Sequence, residues 1–174
     1  MALEDVDANK EKAHDTLNSI NESAHKMLDA MNDIIWNIQP QNDTLDSIVV
    51  RMRSFASELL EAKKITLHFN VEENVKQLRL GLTVRHDFLV IYKEAVNNLA
   101  KYSGASQANI CLKFQHPFLI LTISDNGKGF DPQILRNGNG LKNMQSRAKK
   151  IGAVYHLHTD IGKGTTITLQ VKPT

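Results

Sequence analysis

The sequence predicts an α+β fold, a two-layer α/β sandwich preceded by two helices. Three observations carry that expectation. Apolar residues recur with a helical period as far as residue 62, and from Lys64 the pattern changes to the alternation of a half-buried strand. Beyond that change the order is strand, helix, hairpin, helix, hairpin, which places helices on one face of a mixed or antiparallel sheet. The length of 174 residues suits one domain with an appendage. The chain therefore divides into residues 1–62 and 63–174.

The first helix is marked by Leu17, Ile20, Ala24, Met27, Met31, Ile34 and Ile38, which step by 3 and 4 alternately as a heptad seam. Leu28 and Ile35 widen the seam to the stripe of a helical bundle. A solitary helix would leave that stripe in water. A homodimer through the seam from Leu17 to Ile38 is expected, the alternative being packing on the chain's own domain. Pro40 ends the helix, and Asn42, Asp43 or Thr44 can cap the next. That second helix carries Ile48, Met52, Phe55, Ala56, Leu59 and Leu60 on one face.

In "ITLHFNV", Ile65, Leu67, Phe69 and Val71 alternate with polar residues as a strand. A helix over 84–102 presents Phe88, Leu89, Tyr92, Val96 and Leu99, and Gly104 stops it. Strands over 108–114 and 118–124 form a hairpin. After a Gly- and Asn-rich loop, "LKNMQSRAKKI" reads as helix, and "AVYHLHTD" and "GTTITLQV" as a final hairpin.

Composition narrows the function. Hydrophobic residues are 41% and charged residues 23%, as in ordinary globular proteins. No apolar run approaches a membrane span, and the acidic, polar N-terminus is unlike a signal peptide, so a cytoplasmic location is expected. Cys111 is the single cysteine, which excludes a disulfide framework. Residues 1–46 hold ten acidic and three basic side chains (net −7); residues 47–174 hold nine acidic and eighteen basic (net +9). A basic second part suits a polyanion such as a nucleotide, or an acidic partner. The basic–aromatic interleaving of a nucleic-acid-binding sheet is missing, and no nucleic-acid partner is expected.

Four stretches could carry chemistry. Glu94, Asn98 and Lys101 share one helical face, flanked by Asn97 and Tyr102. A carboxylate, an amide oxygen and an ammonium could hold a hydrated Mg²⁺ and the phosphates it bridges, since Mg²⁺ keeps several waters. The alternative is a solvated polar face. In Asp125-Asn126-Gly127-Lys128-Gly129, a carboxylate at a strand end can accept a hydrogen bond from a base amine. Gly127 and Gly129 would let backbone approach a flat ring; a plain turn is the alternative. Gly138-Asn139-Gly140-Leu141 opens a helix, where N–H groups favour an anion; the alternative is a flexible loop. Gly162-Lys163-Gly164-Thr165 is either a fourth box or only a hairpin turn.

The order of the four boxes is more specific than any one of them. Across residues 84–171 it resembles the superfamily of gyrase, heat-shock chaperone, histidine-kinase and MutL ATPases. "EAVNNLAKYS" resembles the histidine-kinase version of the first box. "MNDIIWNIQPQNDTLDSIVVRMRSFASELLEAKKI" is similar to the region joining dimerisation helices to the ATPase domain in sensor kinases of the nitrate-sensor and desaturase-regulator type. The resemblance implies a Bergerat-type ATPase fold behind a dimerisation helix and a linking helix, with ATP and Mg²⁺ as cofactors and a response regulator as partner of the intact protein. It implies that Asn98 meets the Mg²⁺, that Glu94 activates or orients a water, that Lys101 contacts phosphate, and that Tyr102 lies near the nucleotide. It implies that Asp125 accepts from the adenine amino group beside Gly127 and Gly129. Gly138, Gly140 and Leu141 would bring lid backbone to the phosphates, and Thr165 would support adenine through water. The short "DPQILRN" loop would be the lid. Lys128 is the residue of its box least expected to matter.

The family's phosphoacceptor histidine sits on the first dimerisation helix, and this chain resembles only the second. His14, His25 and His86 lack its sequence context. The expectation is a fragment that binds ATP without the histidine it phosphorylates. Two rivals are a serine kinase of the anti-sigma-factor type, disfavoured by the heptad helix, and a degenerate binding module, disfavoured by intact Asp125, Asn98 and Glu94.

Overall fold

The computed structural model describes residues 44–131 and 139–174, and before them Thr16, Leu17, Ile20, Asn21, Ser23, Ala24, Met27, Leu28, Met31, Ile35, Trp36 and Gln39. Seam residues Ile34 and Ile38, Pro40, caps Asn42 and Asp43, His14, His25, most of the lid stretch and Gly138 lie outside the described residues. Contacts divide the chain into units 1–39 and 40–174. In the first unit the described residues from Thr16 to Trp36 are helical, as the heptad pattern predicts. Its apolar Leu17, Ile20, Met27, Leu28, Met31 and Ile35 are 50–69% exposed.

The second unit runs α1 (Leu45–Glu61), β1 (Thr66–Val71), a 3₁₀ turn (Glu73–Val75), α2 (Leu82–Tyr102), β2 (Gln107–Gln115), β3 (Phe118–Asp125), α3 (Asn139–Lys150), β4 (Val154–Thr159) and β5 (Thr165–Val171). The expected division after residue 62 would part α1 from this unit. Leu45, Ile48, Met52, Ala56 and Leu60 of α1 are fully buried there, and the buried Tyr92 hydroxyl of α2 donates to Met52 O at 2.7 Å. An apolar face that would cost roughly 1.5–3 kcal/mol per large side chain to expose binds this helix to the body it covers.

The five strands lie in the order β1-β2-β3-β5-β4. β1 pairs parallel with β2 and the other pairs are antiparallel, so the sheet is mixed. Register aligns the inward residues in rows: Phe69, Ile110, Ile123, Ile167 and Leu157 in one, Val71, Leu112, Leu121, Leu169 and Tyr155 in the next. Alternate residues such as Thr122, Thr168 and Cys111 face the other side and are only partly covered. One covered face and one open face make two layers, the α+β sandwich that the element order predicts.

Two local features position the site. α2 stops at Tyr102, Ser103 caps it, and Gly104 takes φ +62°, a left-handed conformation that glycine adopts without a Cβ penalty. β3, the central strand, ends at Asp125, which pairs with Ala108 near the start of β2.

Candidate functional site

A cleft of about 690 Å³ opens between α2, the ends of β3 and β5, and the start of α3. α2 contributes Glu94, Ala95, Asn98, Leu99 and Tyr102, the one face that i, i+4 and i+8 spacing creates. Ile123, Phe130, Leu141 and Ile167 add apolar surface, and Asp125, Lys128, Gly129, Gly140 and Thr165 complete the wall.

The cleft has two chemically different ends. At the Ser103 end lies Asp125, half-buried, its Oδ1 accepting from Gly127 N at 2.8 Å. Burial pushes its carboxyl above the ordinary value, and hydrogen bonds from the backbone N–H groups of Gly127 and Thr165 oppose part of that rise. The carboxylate is thus held in place with acceptor capacity left over. At the other end Asn98 Nδ2 donates to Glu94 Oε1 at 3.2 Å, which orients the amide so that its oxygen remains available. Gly140 stands against this pair, and a Cβ there would run into Glu94 Oε1. Eight residues of helix separate Glu94 from Tyr102, about 12 Å of cleft at 1.5 Å per residue.

Three loops are tied together beneath the Asp125 end. Lys128 N donates to Ser103 O at 2.9 Å, and Gly162 N to Lys128 O at 2.6 Å. Asn126 Oδ1 accepts from Ser106 N and Gln107 N at 3.0 and 2.9 Å, so this residue staples the turn to the start of β2. Thr159 Oγ1 accepts from Phe130 N at 3.1 Å and lies 3.2 Å from both Gly164 O and Thr165 Oγ1. The glycines let these loops touch. A Cβ at Gly127 would strike Ser103 O, and one at Gly129, where φ is +56°, would strike Asp160 O.

Of the residues singled out in the sequence, Glu94, Asn98, Tyr102, Asp125, Gly129, Gly140, Leu141 and Thr165 come together on the cleft wall. Gly127 is buried behind Asp125 and takes no part in that wall. Lys101 is exposed on the flank of α2, seven residues past Glu94 but off the arc centred on Ala95 and Asn98. Lys128, the lysine expected to matter least, is the one on the wall. Of the histidines weighed as acceptors, His86 is described: its Nδ1 lies 3.2 Å from Asp87 Oδ1 on α2. Sequence reasoning missed Thr159, which sits inside a strand pattern with no local signal. It read Asn126 only as turn chemistry, although an Asn there is also the signal of a side chain that bonds nearby backbone.

The profile of the histidine kinase-, DNA gyrase B- and HSP90-like ATPases matches residues 83–174, and the chain belongs to this family. Sensor histidine kinase LiaS of Bacillus subtilis (strain 168) is 31% identical over 116 residues, 66% of this chain and 32% of that protein. Sensor protein VraS of Staphylococcus haemolyticus (strain JCSC1435) is 31% identical over 109 residues, 62% of this chain and 31% of that protein. The chain thus spans about a third of the length of these curated relatives. The fold is also that of Acinetobacter baumannii histidine kinase AdeS, with a TM-score of 0.66 over 90% of this chain and 83% of that one at 14% identity. Among the described residues no helix is long and apolar enough to cross a membrane.

Proposed function

We propose that this chain is the ATP-binding catalytic part of a two-component sensor histidine kinase of the nitrate-sensor and desaturase-regulator type. The observation that carries the reading is the polarity of the cleft within an ATPase family member: a half-buried carboxylate at one end, and at the other a Glu–Asn pair beside a helix-opening glycine. Asp125 accepts a hydrogen bond from the adenine amino group, while Ile123, Ile167, Phe130 and Leu141 cover the ring. Thr165, hydrogen-bonded through its backbone to Asp125, supports the same edge. The phosphates lie towards Asn98 and Gly140, whose backbone stands at the first turn of α3. Glu94 orients the water or hydroxyl nearest the γ-phosphate. Tyr102 borders the nucleotide, and Lys101 on the flank contributes charge at the rim.

Mg²⁺ fits this donor set. Among the described residues no three His, Cys, Asp or Glu side chains gather to cage a metal. One amide oxygen, that of Asn98, suits an ion that keeps waters and takes its other oxygens from phosphates. When bound, the ion neutralises charge that builds on the β- and γ-phosphate oxygens. The γ-phosphoryl passes to a histidine of the intact kinase, and a response regulator receives it next. The exposed Leu17, Ile20, Met27, Leu28, Met31 and Ile35 make the first helix the homodimer contact. Calorimetric titration with ATP and Mg²⁺ tests the site. Asp125→Asn and Asn98→Asp should each weaken binding by tenfold or more, on the order of 1.4 kcal/mol; unchanged affinity in both overturns the assignment.

A further inference from the structure

Asp87 of α2 is fully buried, two helical turns before Glu94 on the same stripe of the helix. Three cationic or ionisable groups converge on it. Arg147 Nη1 donates to Oδ1 at 2.7 Å, Lys150 Nζ forms an ion pair with Oδ2 at 3.0 Å, and His86 Nδ1 lies 3.2 Å from Oδ1. Arg147 and Lys150 stand in the last turn of α3. At the first turn of that helix, Gly140 presses against Glu94 and Asn98.

The spacings match. Seven residues separate Asp87 from Glu94 on α2, and seven separate Gly140 from Arg147 on α3. The helices therefore run side by side in opposite directions, clasped at both ends of a span of about 10 Å. One clasp is the close approach of Gly140; the other is a buried carboxylate with its cations. A slip of α3 along α2 would strand the Asp87 charge, and a buried charge that loses its partners is strongly destabilising. Apolar contacts through Met144 and Ala148, both buried, are non-directional and do not set such a register.

We propose that Asp87 is a positioning residue: through Arg147 and Lys150 it fixes the register of α3, and so holds Gly140 and the helix's first N–H groups at the phosphate end of the cleft. The inference rests on the nucleotide reading for what that end binds, but the register itself is independent of it. Asp87 touches no nucleotide. Its substitution acts at the phosphates and not at the base.

The experiment has two arms, both on the whole chain. In the first, calorimetry compares ATP–Mg²⁺ with adenosine for Asp87→Asn, Arg147→Gln and Arg147→Lys. Arg147 is 40% exposed at its side chain, so Arg147→Gln keeps the fold if Asp87→Asn does not. ATP affinity should fall about tenfold in the charge-removing variants while adenosine affinity holds, and Arg147→Lys should retain most of the ATP affinity, since one step of tenfold is about 1.4 kcal/mol. Equal losses for ATP and adenosine, or none for either, overturn the proposal. If the unaltered chain binds neither ligand, the nucleotide reading itself fails. The second arm then still decides the register: a denaturation cycle of Gly140→Ala with Arg147→Gln, without nucleotide. Sites this far apart with no shared partner have additive effects on stability. A register clasp makes them non-additive, with Gly140→Ala more favourable once α3 is free to draw back from Glu94; additive effects refute it.

Discussion

Thr159→Val tests whether the loops under Asp125 are held by one hydroxyl. Valine matches threonine in shape, so the change removes the hydrogen-bonding atom and little volume. Oγ1 accepts from Phe130 N at 3.1 Å and stands 3.2 Å from Gly164 O, in a residue only 8% exposed. A methyl there leaves the Phe130 N–H and the Gly164 carbonyl without this partner, and an unsatisfied buried group costs about 1–3 kcal/mol. For a unit of this size the melting midpoint moves by about 4 °C per kcal/mol, so a fall of roughly 4–12 °C is expected by calorimetry or circular dichroism. Phe130 and Thr165 both line the cleft, so adenosine affinity should fall as well. Thr159→Ser keeps the oxygen and should melt and bind close to the native chain. If Thr159→Val melts with the native chain and binds adenosine equally well, the hydroxyl does not organise these loops and the reasoning is wrong.

Gly127→Ala should unfold the chain or lower its midpoint steeply, because the added Cβ meets the fixed Ser103 carbonyl, whereas Gly140→Ala meets chiefly the end of the Glu94 side chain and should fold while binding ATP–Mg²⁺ more weakly; a denaturation series and a calorimetric titration on the two variants compare them. Acid should separate two carboxylates. Burial alone would raise Asp87, but hydrogen bonds from Lys150, Arg147 and His86 outweigh it and hold the carboxyl below its ordinary value. Its contribution to stability is therefore complete above the ordinary value of about 3.9 and is lost as pH falls below that, so the stability gap between native chain and Asp87→Asn should close in acid unfolding. Asp125 is raised, so it takes up its proton at higher pH than a free aspartate. Nucleotide affinity should accordingly weaken on acidification before ordinary carboxylates titrate, and that acid limb should vanish in Asp125→Asn when followed by calorimetry across pH. Chelating Mg²⁺ should weaken ATP binding and leave adenosine binding unchanged; equal effects on both would argue against Asn98 as the metal-facing residue.

Much of this protein was legible in its sequence because periodicity is local. The strands are written in alternations such as Ile65, Leu67, Phe69 and Val71, and α2 in its 3–4 spacing, so element types and order follow from neighbours a few residues apart. The three glycine-bearing boxes were also visible, since glycine marks where backbone must bend or touch. What glycine touches is a different matter. Gly127 and Gly129 read as an approach to a flat ring; the place a Cβ would take at each is filled by the backbone of Ser103 and of Asp160, and of the two only Gly129 lines the cleft. The attachment of α1 to the second unit was hidden as well, because an apolar helical face does not name the surface that covers it.

The sequence by itself determined the α+β class, the order of the elements and the set of residues from which a nucleotide cleft could be made. Only the tertiary structure decided which of them meet: that Asp125 and the Glu94–Asn98 pair stand at opposite ends of one cleft, that Lys128 lines it while Lys101 stays on the flank, and that Thr159 and Asp87 join segments 29 and 60 residues apart. The reason is physical. Helix and strand patterns are set by hydrogen bonds and side-chain spacing within a few residues. A hydroxyl shared by two loops, or a carboxylate clasping a second helix, depends on contacts that exist only once the sheet and helices have packed.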